Sequence, residues 1–355
     1  MTWEELDWPA LDRLREGFLR GGATGPYWTS AADLASYDLT YGERIGWKWD
    51  AVFRELRLRR WRPEPGLDVL DWGCGSGVAS RRLLSFLGPD SVPALRLWDH
   101  APLATGFAVD AARAAFPGVA VSPATPDFLA SDAPVGVLVL SHVLNELTPD
   151  AFAEVRRLLG RAQAVLWCEP GTHEVSRRLG ALRDELRDTF DIAAPCTHGG
   201  ACPALAPDRE RDWCHFFAPP PSEIFADPRW VNFGQRAGID LRSLPYSFLA
   251  LSRRTPNGDT PAPAVTDAGL SRIIGRPEHF KPYARFLSCD ASGLTELTLP
   301  RRANPALCKA LERSKAPLVY RWRREGPTVI GGEPLPAPDK EHGPDGCTPI
   351  ETAGG

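Results

Sequence analysis

The chain has 355 residues, of which 43% are hydrophobic and 24% are charged, and its formal net charge is −4. This composition is typical of a globular protein of about two domains, at roughly 150 residues each, and it excludes a wholly basic nucleic-acid-binding protein without excluding a local basic surface. No apolar run approaches the roughly 20 residues of a membrane span, and the acidic start lacks the features of a signal or transit peptide. We therefore expect a cytoplasmic protein with no membrane partner.

The first two thirds of the chain alternate between short apolar runs and helical patterns. Residues 1–62 are predicted to form a helical N-terminal region. After them, five strands are predicted, each followed by a helix or a loop, at residues 67–71, 95–98, 119–121, 135–140 and 164–167. Repeated strand–helix units predict an α/β fold with a doubly wound parallel sheet and right-handed crossovers.

The domain organisation follows from where this alternation stops. We assign residues 63–255 to the α/β domain and predict that residues 191–216, which are rich in Cys, Pro and His, interrupt it as an insertion. Residues 247–252 are predicted to close the sheet. A small, basic β unit is expected at residues 264–325, and residues 326–355, where Gly and Pro dominate, are expected to be disordered.

A glycine-rich loop follows the first predicted strand. It contains Asp71, Gly73, Gly75 and Gly77 in the run Asp-Trp-Gly-Cys-Gly-Ser-Gly. Glycines at this edge of an α/β sheet let a ligand approach backbone N–H groups. The dinucleotide pattern would require Gly or Ala where Val78 stands, so the spacing favours S-adenosylmethionine over NAD or FAD.

Two acidic residues support this choice of cofactor. Asp99 ends the second predicted strand, 22 residues after Gly77, where an acid accepts hydrogen bonds from ribose hydroxyls. Asp127 lies between the third and fourth strands, where an acid can meet the adenine amino group. With the glycine loop, they predict an S-adenosylmethionine site.

The segment after the fourth strand holds the candidate catalytic residues. His142, Asn145 and Glu146, together with Glu169 after the fifth strand, would line the mouth of the pocket and could act as a base or a positioning group. Alternatively, Asn145 and Glu146 simply cap the next helix. The Asn/Asp-Pro-Pro-aromatic run of nucleobase amine methylases is missing here, so the sequence leaves open whether methyl transfer occurs.

Three cysteines stand close together in the insertion, at Cys196, Cys202 and Cys214. Their separations of five and eleven residues do not suit a zinc knuckle, in which paired cysteines lie two to four residues apart. Irregular spacing suits an iron–sulfur cluster, but buried free thiols and zinc remain alternatives. The candidates for a fourth ligand are Cys289, Cys168, His198 and His215.

Several motifs occur in an order that resembles a known family. They are Arg44-Ile-Gly-Trp-Lys-Trp, the glycine loop, Ser141-His-Val-Leu-Asn-Glu-Leu, Glu169-Pro-Gly-Thr, Pro195-Cys-Thr-His, Cys202-Pro and Asp212-Trp-Cys-His-Phe. Over roughly residues 35–300, the chain resembles the mitochondrial ribosomal small subunit protein twenty-two family. The Asp-Trp-Cys-His-Phe run with the two preceding cysteines is the specific part of the match.

This resemblance implies a class I methyltransferase fold that associates with small-subunit ribosomal RNA in ribosome assembly or translation. It also implies a structural [4Fe–4S] cluster whose ligands would be Cys196, Cys202, Cys214 and Cys289. We expect the protein to be monomeric away from the ribosome. The alternatives are a non-catalytic assembly factor that keeps the cofactor fold and a zinc-containing small-molecule methyltransferase.

A basic run near the C-terminus is a candidate RNA contact. Residues 301–324 contain eight Lys or Arg and one acid, with Tyr320 and Trp322 among them. Such a strip could bind phosphates and stack on bases. The alternative is an ordinary solvated face.

Overall fold

The computed structural model describes residues 1–19, 28–254, 269–313 and 318–335. Its helices are α1 Trp8–Leu19, α2 Ala31–Tyr37, α3 Glu43–Leu58, α4 Val78–Leu87, α5 Pro102–Ala115, α6 Pro126–Ala130, α7 Pro149–Arg161, α8 His173–Leu186, α9 Pro228–Ala237 and α10 Pro305–Leu311. Its strands are β1 Val69–Trp72, β2 Ala94–Trp98, β3 Ala120–Pro123, β4 Val135–Ser141, β5 Ala162–Pro170, β6 Phe190–Ala194, β7 Phe216–Phe217, β8 Pro245–Arg253, β9 Leu270–His279, β10 Tyr283–Asp290, β11 Gly293–Pro300, β12 Val319–Glu325 and β13 Thr328–Pro334.

One large sheet forms the centre of the α/β domain. Its strand order is β3-β2-β1-β4-β5-β8-β6, and the short β7 pairs with β8. The first five strands are parallel, whereas β8 runs antiparallel to both β5 and β6. The first six of the seven residues of β4 are buried, as expected of a strand covered on both faces. This order, with one reversed strand beside β5, is that of class I methyltransferases, and the fold class predicted from the sequence is confirmed.

Helices cover the two faces of this sheet in two groups. The core of one face includes apolar residues of α3, α4, α5 and α9. The core of the other face includes residues of α7 and α8. Within the described residues, none of the helices has the length and apolar character needed to cross a membrane.

The cysteine-rich segment differs in one respect from the expectation for residues 191–216. Its first residues, 191–194, belong to β6, which forms the edge of the sheet by pairing with β8. The short alternating run Phe190–Ala194 resembles a helix end in sequence. Its pairing partner lies more than 50 residues further along the chain, so the sequence pattern alone could not identify it.

The C-terminal strands form a closed five-stranded barrel in the order β10-β11-β13-β12-β9. The pair β11–β13 is parallel, and the other pairs are antiparallel. Helix α10 connects β11 to β12. Residues 328–334, expected to lie in a disordered tail, instead form β13, because they pair with β12. The remainder of that predicted tail, from residue 336, lies outside the described residues.

A buried group of charges joins the barrel to the α/β domain. Glu55 of α3 accepts hydrogen bonds from Arg59, at 2.8 Å, and from Arg272 of β9. The guanidinium of Arg59 also donates to the carbonyl oxygens of Ala193, Pro195 and Cys196. Helix α3 and strand β9 therefore meet at one carboxylate, and Arg59 joins residues 193–196 to the same group.

Candidate cofactor and acceptor site

The glycine loop between β1 and α4 has the geometry of a ligand cradle. Gly73, Gly75 and Gly77 all have positive φ, at 74°, 52° and 76°, a region that L side chains rarely adopt. A Cβ at Gly73 would lie 2.6 Å from Val143, and one at Gly77 would lie 2.9 Å from Ala108, but one at Gly75 would meet nothing within 4 Å. The loop therefore packs tightly at its two ends and leaves open space over Gly75.

Asp71 lies beneath this loop rather than in it. Its carboxyl is buried and accepts a hydrogen bond from the Ser80 hydroxyl. Burial raises the pKa of Asp71 to about 7 because the charged form loses its hydration. Within the described part of the chain, Asp71 Oδ1 and the hydroxyl of Ser76 are buried without a hydrogen-bond partner.

The two other acids predicted to bind the cofactor occupy different surroundings. Asp99 is 8% exposed at the end of β2, where its Oδ2 accepts a hydrogen bond of 2.9 Å from the Gly75 N–H and its Oδ1 accepts one of 2.9 Å from Ala101. Asp127 is exposed in the first turn of α6. The structure thus couples Asp99 directly to the glycine loop, while Asp127 lies at the rim of the same sheet edge.

The N-terminal helices close over this loop. Asp38 begins the π-helical turn Asp38–Gly42 and receives two hydrogen bonds, of 2.6 and 2.8 Å, from Arg81 of α4. The same guanidinium donates to the carbonyl oxygen of Ser76 at 2.7 Å. This contact fixes the turn to the glycine loop, and single turns of π-helix often occur at functional sites.

Glu169 anchors the loop that carries the candidate catalytic residues. Its Oε1 accepts hydrogen bonds from the backbone N–H groups of Val143 and Leu144, both at 3.1 Å, and from the Trp167 indole at 2.7 Å. Burial raises the pKa of Glu169 to about 7. With Oε1 committed to three donors, Glu169 fixes the shape of residues 142–147, while its Oε2 is buried without a hydrogen-bond partner among the described residues.

His142 has an unusual backbone and an unexpected partner. Its φ is +59°, a strained value for a residue with a side chain, and its Nε2 lies 2.9 Å from Lys48 Nζ of α3. Burial lowers the pKa of Lys48 to about 8, and burial together with the Lys48 charge holds the pKa of His142 well below its usual value. The neutral imidazole can therefore accept a hydrogen bond from Lys48.

Two neighbours complete this arrangement. The Ser141 hydroxyl lies 3.3 Å from His142 Nδ1 and accepts a hydrogen bond of 3.0 Å from the Trp49 indole. If Nε2 accepts a hydrogen bond from Lys48, Nδ1 carries the ring proton and donates a hydrogen bond to Ser141 Oγ. This tautomer is assigned from the hydrogen-bond network. The arrangement holds a partly neutral amine at the carboxyl edge of β4.

Asn145 and Glu146 follow on the same loop and are exposed. Neither caps α7, because the hydroxyl of Thr148 occupies that position and accepts from Ala151 N–H. Crowding by neighbouring atoms and the Asp99 charge raise the pKa of Glu146 to about 7, although part of its side chain is open to solvent. Glu146 and Asp99 therefore face the same space.

Sequence reasoning did not identify Lys48 or Tyr37 as site residues. Burial and the Glu146 and Asp99 charges raise the pKa of Tyr37, which places its hydroxyl near both carboxylates. Both residues come from the N-terminal helices, and the local sequence does not predict where these helices pack over the edge of the sheet. The available signal was Lys48 itself, one of five lysines in the chain and flanked by Trp47 and Trp49.

The four cysteines expected to bind a metal approach one another at the base of the barrel. All four are free and only partly buried. Burial and the charges of Cys196, Cys202 and Cys289 raise the pKa of Cys214 well above its usual value, so the four thiols lie within electrostatic range. Cys289 Sγ is also 3.8 Å from His198 Nε2. Among the described residues, however, no group of three or more His, Cys, Asp or Glu is arranged to hold a metal ion.

The basic run at residues 301–324 has a different structure from the predicted stacking strip. Tyr320 is 1% exposed and packs inside the barrel. Trp322 stacks on it, with ring centroids 4.4 Å apart, and donates a hydrogen bond of 3.2 Å to Ser288. These two rings therefore belong to the barrel core, because alternate residues of a strand point inward, and they offer no platform for bases.

Solved structures similar to this chain include several methyltransferases. One from Geobacter sulfurreducens, in complex with S-adenosyl-L-homocysteine, is 18% identical with a TM-score of 0.32, over 57% of this chain and 90% of that chain. One from Aquifex aeolicus is 14% identical with a TM-score of 0.35, over 48% and 94%. An rRNA methylase from Streptococcus thermophilus is 9% identical with a TM-score of 0.31, over 56% and 93%. No curated protein sequence matches the chain significantly.

A family model does match part of the sequence. It is described as mitochondrial small ribosomal subunit Rsm22, and the match covers residues 122–256. This range begins in β3 and ends just after β8. It therefore contains the candidate catalytic loop and three of the four cysteines expected to bind a metal, Cys196, Cys202 and Cys214. The resemblance that the sequence motifs predicted is therefore confirmed: residues 122–256 carry the sequence pattern of the Rsm22 family.

Proposed function

We propose that this protein binds S-adenosylmethionine and docks on the small ribosomal subunit, where it acts on or beside the ribosomal RNA during assembly or translation. The observation that carries the proposal is the Rsm22 match over residues 122–256 on a class I methyltransferase sheet whose glycine loop is intact. The family is described as a small ribosomal subunit protein, and this description supports the small-subunit association.

The geometry of the glycine loop supports a bound cofactor. Gly75 leaves open space, its N–H is joined to Asp99, and the Ser76 hydroxyl is buried without a partner among the described residues. In this proposal, Asp99 accepts hydrogen bonds from the ribose hydroxyls and Asp127 contacts the adenine amino group. Gly73 and Gly77 hold the turn above Asp71. Bound S-adenosylmethionine would supply an activated methyl group at this edge of the sheet.

The acceptor side of the pocket would be formed by the loop after β4. Glu169 fixes the backbone of this loop through Val143 and Leu144, so that His142 and Asn145 can orient an acceptor. Glu146, with its raised pKa, can hold a proton near neutral pH.

The alternative that the structure favours next is an assembly factor without turnover. His142 Nε2 is occupied by Lys48 and Glu169 Oε1 by three donors, so two of the polar groups nearest the acceptor position are already committed. Such a protein would keep the cofactor fold as a binding shape.

The proposal includes a structural [4Fe–4S] cluster at Cys196, Cys202, Cys214 and Cys289, with zinc as the alternative metal. The four free thiols come from two distant parts of the chain and interact electrostatically. Thiolates are the usual ligands of such clusters. Ligation there would tie the barrel to the segment after β6, so that metal binding would contribute to folding.

Two experiments test the function. Sucrose-gradient sedimentation of a host-cell lysate should place the protein with the small subunit, and its presence only in the soluble top fractions would contradict docking. Mass mapping of ribosomal RNA from a deletion strain should show a missing methyl group if turnover occurs. An unchanged methylation map with retained sedimentation would favour the assembly factor.

A further inference from the structure

The connectivity of the C-terminal barrel defines its fold. Numbered from its own start, the first strand β9 pairs with the second, β10, and with the fourth, β12. The third strand β11 pairs with the second and, in parallel, with the fifth, β13, and α10 lies between the third and fourth strands. This is the topology of the OB-fold, which binds oligonucleotides or oligosaccharides through strands two and three and the adjoining loops.

An exposed aromatic ring with a half-buried aromatic partner lies at one of those loops. Phe280, between the first and second strands, is 39% exposed, and its ring centroid lies 4.8 Å from that of Tyr283. The Arg285 guanidinium lies 5.4 Å from the Phe280 ring centroid. We call Phe280 and Tyr283 the platform. Exposed rings of this kind stack on nucleic-acid bases irrespective of sequence.

Cations surround the platform. Lys281 follows Phe280 directly and is exposed, and the Arg301 backbone N–H donates a hydrogen bond of 2.8 Å to the carbonyl oxygen of Pro282 in the same loop. Arg302, the next residue after Arg301, is also exposed. Acids balance part of this charge, because Glu278 pairs with Arg285 at 2.5 Å and Glu312 pairs with Arg301 at 3.0 Å. Lys281 and Arg302 add positive charge to these pairs.

A cleft lies between the barrel and the α/β domain. It has a volume of about 620 Å³, and His279, the residue before Phe280, is among the residues that line it. Its walls include Arg54 of α3 together with Arg276 and Arg313 of the barrel unit, and Phe217 lies 3.8 Å beneath the Arg276 guanidinium. Of the acids that line it, Glu55 is neutralised by Arg59 and Arg272. Cations above an apolar floor match a phosphate backbone with its bases.

We propose that the platform and the cleft together form a binding site for single-stranded RNA. Because the site carries cations, RNA is a better ligand for it than a neutral oligosaccharide. A cleft with a single exposed platform suits unpaired bases more than a duplex. The inference rests on the proposed function and deepens it, since it names the surface that contacts ribosomal RNA. It assigns this contact to the barrel and the cleft, away from the cofactor loop.

Fluorescence anisotropy with the full chain tests this site. The probe is a fluorescein-labelled oligouridine of about 12 nucleotides, within the site size of OB-folds. Phe280→Ala should weaken binding about 10-fold through lost stacking, and Arg54→Ala should weaken it and reduce the slope of log affinity against log salt by about one unit. Both residues are exposed, and thermal melts should show that both variants fold.

Matched controls exist on the opposite face of the sheet. Phe152 of α7 also has an arginine over its ring, with Arg156 at 4.7 Å, and Arg157 is an exposed cation of the same helix. Phe152→Ala and Arg157→Ala should leave RNA affinity unchanged. Losses equal to those of Phe280→Ala and Arg54→Ala would show non-specific electrostatic binding and overturn the site.

Other outcomes also decide the question. Absence of oligouridine binding by the wild type, tighter binding of a duplex of equal length, or platform-dependent binding of a ribosomal protein without RNA binding would each overturn the proposal. S-adenosylhomocysteine titrations on the same samples keep the two proposals distinguishable. Phe280→Ala should leave cofactor affinity unchanged, and lost cofactor binding with retained RNA binding would count against the proposed function alone.

Discussion

Arg272, on the first strand of the barrel, donates a hydrogen bond to the buried carboxylate of Glu55 on α3. Its guanidinium also lies 3.7 Å from the centroid of the Phe216 ring. Arg272 is 1% exposed and Glu55 is 8% exposed, so neither charge can find water if the other is removed. The packing of the barrel against the α/β domain therefore depends on the ion pair between Arg272 and Glu55.

We predict that Glu55→Gln will destabilise the protein by about 3 kcal/mol, because it leaves two buried guanidiniums without their counter-charge. Urea unfolding measures the change. Glu64→Gln, at an exposed position, is the control and should cost less than about 0.5 kcal/mol. Equal effects for the two variants would show that the buried pair contributes nothing particular.

The same pair predicts a pH dependence. Burial alone would raise the pKa of Glu55, but Arg272 and Arg59 outweigh burial and lower it. Because the folded-state pKa lies below the unfolded value of about 4.3, the stabilisation is complete above that pH and is lost as the pH falls through the folded-state pKa. The stability difference between wild type and Glu55→Gln should therefore shrink below about pH 4.

Lys48 should titrate at an unusually low pH. Its pKa, lowered by burial to about 8, can be followed by NMR of protein labelled with ¹³C at lysine Cε, since the chain contains only five lysines. His142→Ala removes the neighbouring imidazole and should shift the Lys48 resonance. A Lys48 midpoint at about 10.4, the value of a fully solvated lysine, would contradict the effect of its half-buried position.

Most of the sheet could be predicted from local sequence, but the site could not be predicted completely. The apolar run of residues 135–140 identified β4, and the glycine pattern identified the turn between β1 and α4, because both signals are local. Lys48 reaches His142 across 94 positions of the chain, and that contact depends on how α3 packs over the sheet. The OB topology likewise depends on pairings such as Thr298 with Thr328, which leave no local periodicity.

Tyr320 shows a further limit of sequence reading. Its position among arginines suggested a stacking residue, whereas the strand turns it into the barrel and leaves Arg321 and Arg323 outside. Phe280, which has no basic run around it, is the exposed ring. The direction of a side chain on a barrel strand depends on register, and one residue of slip reverses it.

Gly75 offers a test of the cofactor cradle with a matched control. Gly75 and Gly66 both have positive φ and open space where a Cβ would stand, so replacement of either by Ala should cost about 1 to 2 kcal/mol in backbone strain. Only Gly75→Ala fills the space over the loop. We expect it to weaken S-adenosylhomocysteine binding at least about 10-fold and Gly66→Ala to leave it unchanged, as measured by calorimetry.

The cysteines can be tested by metal content. Protein purified without oxygen should contain iron and sulfide, with broad visible absorbance, and Cys214→Ser should lose both and melt at a lower temperature. Cys308, buried in the barrel core, is the control, and Cys308→Ser should keep the metal. A colourless wild-type protein loaded with zinc would contradict the iron–sulfur assignment, and a metal-free, equally stable one would contradict both metals.

The most direct test of the account is calorimetric titration of S-adenosylhomocysteine into the full chain and into Asp99→Ala. The account predicts that the wild type binds one equivalent and that the variant binds at least about 10-fold more weakly, because hydrogen bonds to a charged carboxylate are lost. Asp110→Ala, at an exposed position of α5, should bind like the wild type. A folded wild-type protein that shows no binding, or an Asp99→Ala variant of equal affinity, would contradict it.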